Sequence, residues 1–220
     1  MIITAILAKN EATRYLPQVL IRCKTFSDKI CLLDDRSTDD TARVARDAGA
    51  LVRTRSVLKD AAWGTEAPAR AELWDWAVQE AGDGWVLICD ADMILQGDIR
   101  ALTQSWDVNA WAFILYDLWD ETHFRHDGFW QGHLHPRVWM VRPSTFGPEF
   151  RPQWPKRGIH TGHIPENAPL QVAVAPPETY HWLHYSYASP EDRTRKAQQY
   201  HTVEDQLTEF ERAHASSILA

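Results

Sequence analysis

The stretch Trp85-Val86-Leu87-Ile88-Cys89-Asp90-Ala91-Asp92-Met93-Ile94-Leu95 decides the fold. Its first part, Trp85 to Cys89, is a short apolar run of the kind that makes a fully buried strand. Asp90 and Asp92 follow at once. Residues two apart in an extended chain point to the same side, so both carboxylates face one point just beyond the strand's end. Two anionic oxygen donors held there suit a hard divalent cation such as Mg²⁺ or Mn²⁺. The carboxyl ends of the strands are also where open parallel sheets bind ligands. Taken alone, Asp-X-Asp reads equally as a strand-end turn whose aspartates cap backbone amides. The rest of the chain decides between the two.

Upstream, strand and helix patterns alternate. Ile2 to Ala8 is an apolar strand closed by Lys9-Asn10-Glu11. Leu16, Val19, Leu20 and Cys23 then recur at helical spacing and predict a helix over 12–25, starting at Pro17 if the proline occupies its first turn. Lys29 to Leu33 is a second strand, running into Asp34-Asp35-Arg36-Ser37-Thr38-Asp39-Asp40-Thr41. Ser37 with Asp40 three residues on reads as a capping pair for a helix from about Thr38 to Ala48, stopped by Gly49. Ala50 to Arg53 is a third strand, 54–67 a loop, and Pro68 opens a helix whose buried side carries Ala71, Leu73, Trp74, Ala77 and Val78. This alternation predicts a parallel sheet with right-handed crossovers. Beyond Leu95 the pattern loosens. Ile99 to Ser105 reads as a short helix, and Ala110 to Leu118, Val138 to Arg142 and Leu170 to Val174 as strands. Ser189-Pro190-Glu191-Asp192 caps a single C-terminal helix over 190–214, polar enough to lie at the surface or a partner interface.

With 220 residues, 45% hydrophobic and 24% charged, the chain has the composition of one globular domain with a real core. A net charge of -7 argues against a general nucleic-acid binder, which needs a basic face. Cys23, Cys31 and Cys89 lie in apolar runs without metal-like spacing, as in a reducing compartment. There is no signal-peptide pattern at Met1 and no apolar run of membrane-spanning length, so a cytoplasmic location is expected.

Asn10-Glu11 after the first strand, Asp34-Asp35-X-Ser-X-Asp-X-Thr after the second and Asp90-Ala-Asp92 after the fourth occur in an order and spacing that resemble family-2-like glycosyltransferases of GT-A fold. The resemblance covers roughly the first 100 residues. It implies a Rossmann-like three-layer α/β/α sandwich with a mostly parallel central sheet and a C-terminal helix. It also implies one domain over 1–220, with 1–105 as the nucleotide-sugar half and 106–220 as the acceptor half. By the same resemblance the activity is hexosyl transfer from a nucleoside-diphosphate sugar, UDP- or GDP-linked, to a hydroxyl acceptor, with Mn²⁺ or Mg²⁺ as cofactor. Asp92 is then the direct metal ligand, and Asp90 touches the metal or the ribose. Asp35 meets the nucleobase, and Ala8, Asn10, Glu11 and Ala91 lie along the nucleotide. Arg70 forks onto phosphate oxygens. Its competing role is a surface ion pair.

Histidines supply a second constellation: His123 with His126, His133 with His135, His160 with His163 and His181 with His184. In several GT-A enzymes a histidine from the C-terminal half completes the metal shell, and His184 is the candidate, ahead of His181. An inverting transferase also needs a base for the acceptor hydroxyl. Asp117, Asp120, Glu121 and Asp127 lie in the right stretch, and Asp120 and Glu121 are the catalytic candidates. Two other classes compete. A zinc hydrolase built on the histidine pairs leaves the Asp34-Asp35 loop without work and lacks a His-Glu-X-X-His helix. A non-catalytic module would use some of the 11 tryptophans as a sugar platform. A nucleotidyltransferase would show a glycine-rich loop where Lys9-Asn10-Glu11 stands.

Overall fold

The computed structural model describes residues 1–55, 66–105, 107–155 and 162–220. Four strands, β1 (Ile2–Ala8), β2 (Lys29–Asp34), β3 (Leu51–Thr54) and β4 (Trp85–Asp90), lie parallel in the order β3-β2-β1-β4. The helices between them are α1 (Leu16–Cys23), α2 (Thr41–Asp47) and α3 (Glu66–Ala81). The sheet continues past β4 through β7 (Arg137–Val141), β6 (Ala110–Asp117), β9 (His181–His184) and β5 (Met93–Leu95). β8 (Val172–Val174) pairs with the start of β6. β7 runs antiparallel to both β4 and β6, so the second half of the sheet is mixed.

Alternation along the strands divides the core into two layers. On β1, Ile2, Ile6 and Ala8 join Leu16, Val19 and Leu20 of α1 and Ala45 of α2 on one face. Ile3 and Ala5 join Leu73, Trp74 and Ala77 of α3 on the other. The expected α/β/α sandwich follows from this period of two. A smaller cluster holds the C-terminus: Trp130, Tyr187, Tyr200, Val203, Leu207 and Ile218 pack under α4 (Pro190–His201) and α5 (Glu209–Ser217).

Several local expectations shift. α1 begins at Leu16 with Pro17 in its first turn, where the missing N–H costs nothing. Ser37 and Asp40 form no side-chain cap: Asp40 is the N-cap by backbone alone and pairs with Arg43. Asp39 instead accepts the Thr41 N–H, and Ser37 Oγ accepts the Asn10 N–H at 2.9 Å. α3 starts two residues before Pro68, and most of the loop before it, 56–65, lies outside the described residues. The single C-terminal helix is two, because Thr208 and Glu211 form a capping box that starts α5 afresh. The three-residue strand β5 is an addition.

Leu87 sits at the centre of the sheet, fully buried and opposite both Thr4 and Met140. Leu87→Ala leaves a void the two flanking strands cannot close. We expect it to lower unfolding free energy by about 2–5 kcal/mol in urea titrations, with the folded far-UV spectrum retained.

Candidate functional site

The carboxyl ends of β1, β2 and β4 open onto a cavity of about 390 Å³. The loops that form its floor are locked together. Asn10 takes a left-handed backbone conformation, φ 56°, as does Arg36 at φ 58°. Asparagine tolerates this better than most residues. Asn10 Oδ1 accepts the Thr38 N–H at 2.8 Å, and Glu11 N–H donates to Thr41 Oγ1 at 2.7 Å. The turns after β1 and β2 therefore form one unit.

Most carboxylates of the cavity are held by arginines. Arg55 Nη1 donates to Asp35 Oδ1 at 2.9 Å, and Arg70 Nη2 to Asp90 Oδ1 at 2.8 Å. Glu11 takes Arg14 Nη1 at 2.5 and 2.6 Å. The second oxygen of Asp90 lies 3.1 Å from His163 Nε2. A carboxylate only accepts, so that nitrogen carries the proton. Burial opposes the charge on Asp90, yet Arg70 and His163 hold its carboxyl well below the usual range. Arg70 is itself buried, and its Nε and Nη1 have no partner among the described residues.

Asp92 is placed differently. Ser186 Oγ donates to its Oδ2 at 2.7 Å, and His184 Nε2 stands 3.8 Å from its Oδ1. The other ring nitrogen of His184 donates to Asp117 Oδ1 at 2.6 Å. This line of groups follows from strand pairing. β6 and β9 align Asp117 with His184, and β9 and β5 align His184 with Met93, next to Asp92. Burial disfavours a charged His184, but Asp117 and Asp92 outweigh it and raise its pKa.

Of the sequence candidates, Ala8, Asn10, Glu11, Asp35, Arg70, Asp90, Ala91, Asp92 and His184 all line this cavity. Asp120 and Glu121 do not; both are exposed. Asp120 sits in a turn where the backbone N–H groups of Thr122 and His123 and the His123 ring lower its pKa to about 2. Asp117, weighed as a base, is the partner of His184. His181 Nδ1 donates to Pro177 O at 2.8 Å, and His181 is not among the residues lining the cavity. His160 lies outside the described residues.

Sequence reasoning missed Arg55, Glu66, Ser186, Arg195, Lys196 and Gln199 in the lining, and His163 on Asp90. The C-terminal cations carried no local signal.

Parallel strands flanked by helices, a mixed extension of the sheet and a cavity at the strand ends define the GT-A fold. S. aureus TarS (residues 1–349) aligns over 100% of this chain and 69% of its own, with a TM-score of 0.55 and 14% identity. Glucosyl-3-phosphoglycerate synthase from Mycobacterium tuberculosis, solved with Mn²⁺, uridine diphosphate and glucosyl-3-phosphoglycerate, overlaps 53% of this chain and 44% of its own at a TM-score of 0.39 and 20% identity, below the level of a shared fold. No protein-family model matches the chain. The uncharacterised proteins Rv3786c of M. tuberculosis and Mb3815c of Mycobacterium bovis are each 32% identical to it over 131 residues, 56% of this chain and 32% of theirs. The chain thus spans about a third of the length of the curated relatives it matches. Among the described residues, no helix is long and apolar enough to cross a membrane.

Burial outweighs Arg14 at Glu11 and lifts its carboxyl from 4.5 to about 7. The native state therefore binds that proton more tightly than the unfolded chain does. The resulting penalty grows as pH rises from 4.5 towards 7 and is complete above it. We expect Glu11→Gln to gain on the wild type by on the order of 2 kcal/mol between about pH 5 and pH 8. Urea midpoints at both pH values measure this; a difference that does not change with pH contradicts the assignment.

Proposed function

We propose that this chain is a glycosyltransferase that moves a hexosyl group from a UDP- or GDP-sugar to a hydroxyl acceptor, using Mn²⁺ or Mg²⁺ held by Asp92 and His184. The observation that carries the reading is the Asp117–His184–Asp92 line. Asp117 accepts the Nδ1–H hydrogen bond, so the neutral imidazole presents its lone pair at Nε2. Two ligands of one cation at about 2.1 Å each stand at most roughly 4.2 Å apart, and Nε2 and Asp92 Oδ1 are 3.8 Å apart. Among the described residues no three His, Cys, Asp or Glu side chains converge on one point. That suits a cation shared with substrate phosphates, which needs only one or two protein ligands, and does not suit a closed zinc cage.

A bound cation supplies charge neutralisation to a diphosphate as it departs. The chain's own residues do the rest. Asp35, steadied by Arg55, offers its carboxylate to the nucleobase at the end of β2. Asp90, fixed between Arg70 and His163, is read as the ribose contact and as the anchor of Arg70 rather than as a cation ligand. The two unpartnered nitrogens of Arg70 are donors for phosphate oxygens. Asn10 and Glu11, with Ala8 and Ala91, shape the backbone along which the nucleotide lies.

Titration calorimetry with UDP and GDP, with and without Mn²⁺, tests this. We expect Mn²⁺ to strengthen binding of one nucleotide and Asp92→Asn to abolish that gain and sugar transfer while the melting temperature holds. An Asp92→Asn protein whose binding still responds to Mn²⁺ would falsify the metal assignment. Asp117→Asn leaves the cavity lining intact but loosens His184, and we expect a loss of about 10- to 100-fold in Mn²⁺ affinity, partly overcome at high Mn²⁺.

A further inference from the structure

The C-terminal helix α4 is part of the cavity. Asp192, Arg195, Lys196 and Gln199 fall at positions i, i+3, i+4 and i+7, one stripe of a helix. Arg195, Lys196 and Gln199 line the cavity. Asp192, at the root of the stripe, is buried and pins it. Its Oδ1 accepts Arg14 Nη2 at 2.7 Å, and its Oδ2 accepts the Tyr15 hydroxyl at 2.7 Å and Ser189 Oγ at 2.9 Å. Arg14 also holds Glu11, so the loop after β1 and the start of α4 share one arginine.

This tether adds cationic side chains to those of Arg55 and Arg70, which already sit in the cavity against carboxylates. Arg55 faces Asp35 and Arg70 faces Asp90. Arg195 makes one long contact, Nη2 to Asp192 Oδ1 at 3.5 Å, and its buried Nε has no partner among the described residues. Lys196 carries its ammonium 5.9 Å from the Tyr200 ring and lines the cavity together with His184. The Arg195 side chain is one-third exposed and lines the cavity beside Lys196, and a guanidinium fork matches the oxygens of a phosphate.

We infer that α4 is a phosphate-binding wall of this site: Arg195 and Lys196 take the terminal phosphate of the bound nucleotide beside the cation ligands, and Asp192 is the positioning residue that holds them there. The inference rests on the nucleoside-diphosphate reading above. It explains why Asp192, which does not line the cavity, is the buried carboxylate joining α4 to the first loop.

The test is calorimetry on the full chain with Mn²⁺, using UDP, GDP, CDP and dTDP and the matching monophosphates. The double variant Arg195→Met/Lys196→Met is expected to bind the preferred diphosphate about tenfold or more weakly, and its monophosphate within about twofold of the wild type. Arg195→Lys, which keeps the charge, recovers part of the loss. Asp192→Asn lowers the same diphosphate-to-monophosphate ratio from outside the cavity. An equal loss for both nucleotides means a distorted cavity and overturns the assignment, as does no loss in the double variant. An unchanged ratio in Asp192→Asn overturns its positioning role. If the wild type binds no diphosphate, the parent reading falls as well; if it binds one and the double variant binds it equally, only the α4 wall falls.

Discussion

The site depends on the register of one short strand. β9 is four residues long and lies between β6 and β5, parallel to the first and antiparallel to the second. Opposite His184 stand Asp117 on one side and Met93 on the other, and the Tyr185 N–H donates to Asp92 O at 2.9 Å just past the paired segment. A slip of one residue would turn His184 to the opposite face of the sheet. Trp182, fully buried and in edge contact with Phe113, opposes such a slip, because the same slip would bring its indole out of the core. An apolar side chain two residues away thus fixes the direction of the imidazole.

Charge within the cavity is arranged by the same economy. Glu11, Asp35 and Asp90 each sit against an arginine at 2.5–2.9 Å. Asp92 has a hydroxyl and a more distant imidazole instead. Among the described residues it has no arginine or lysine within ion-pair distance. Burying a carboxylate with so little compensation is unfavourable. Groups with that kind of deficit collect where an external ion or ligand completes them. The left-handed backbone at Asn10 and Arg36 fits the same pattern, with unfavourable local conformations held by cross-loop hydrogen bonds at the edge of the cavity.

Much of this was legible because the residues that matter first are local. An apolar run ending in a carboxylate marks a strand and its exit together, and this placed Asp35, Asp90 and Asp92 before any tertiary contact was known. Asn10 and Glu11 were singled out by the family resemblance, since Lys9-Asn10-Glu11 alone reads as a turn. Ser37 and Asp40 misled because a helix-capping pair and an inter-loop clasp use the same residue types; only the approach of Asn10 tells them apart. His163 was named only within a pair, since its partner Asp90 lies 73 positions away. Asp120 and Glu121 were the acids least constrained by predicted strand geometry on the acceptor side, but a tight turn engages Asp120 in hydrogen bonds to its own neighbours.

The C-terminal helices show where local reading stops. A polar helix with few apolar positions reads as a surface element, because the pattern records only which side avoids water. It does not record that a buried carboxylate can replace an apolar stripe as the anchor. Asp192 does this by accepting from an arginine and a tyrosine of the loop after β1, and the hydrophobic cluster of Tyr200, Val203 and Leu207 lies farther along the chain. With one end fixed by hydrogen bonds to the loop after β1 and the other by packing, α4 has little freedom to swing from the cavity. Its cations are then as much a part of the site as the aspartates at the strand ends, although they are separated from Asp92 by about half the chain.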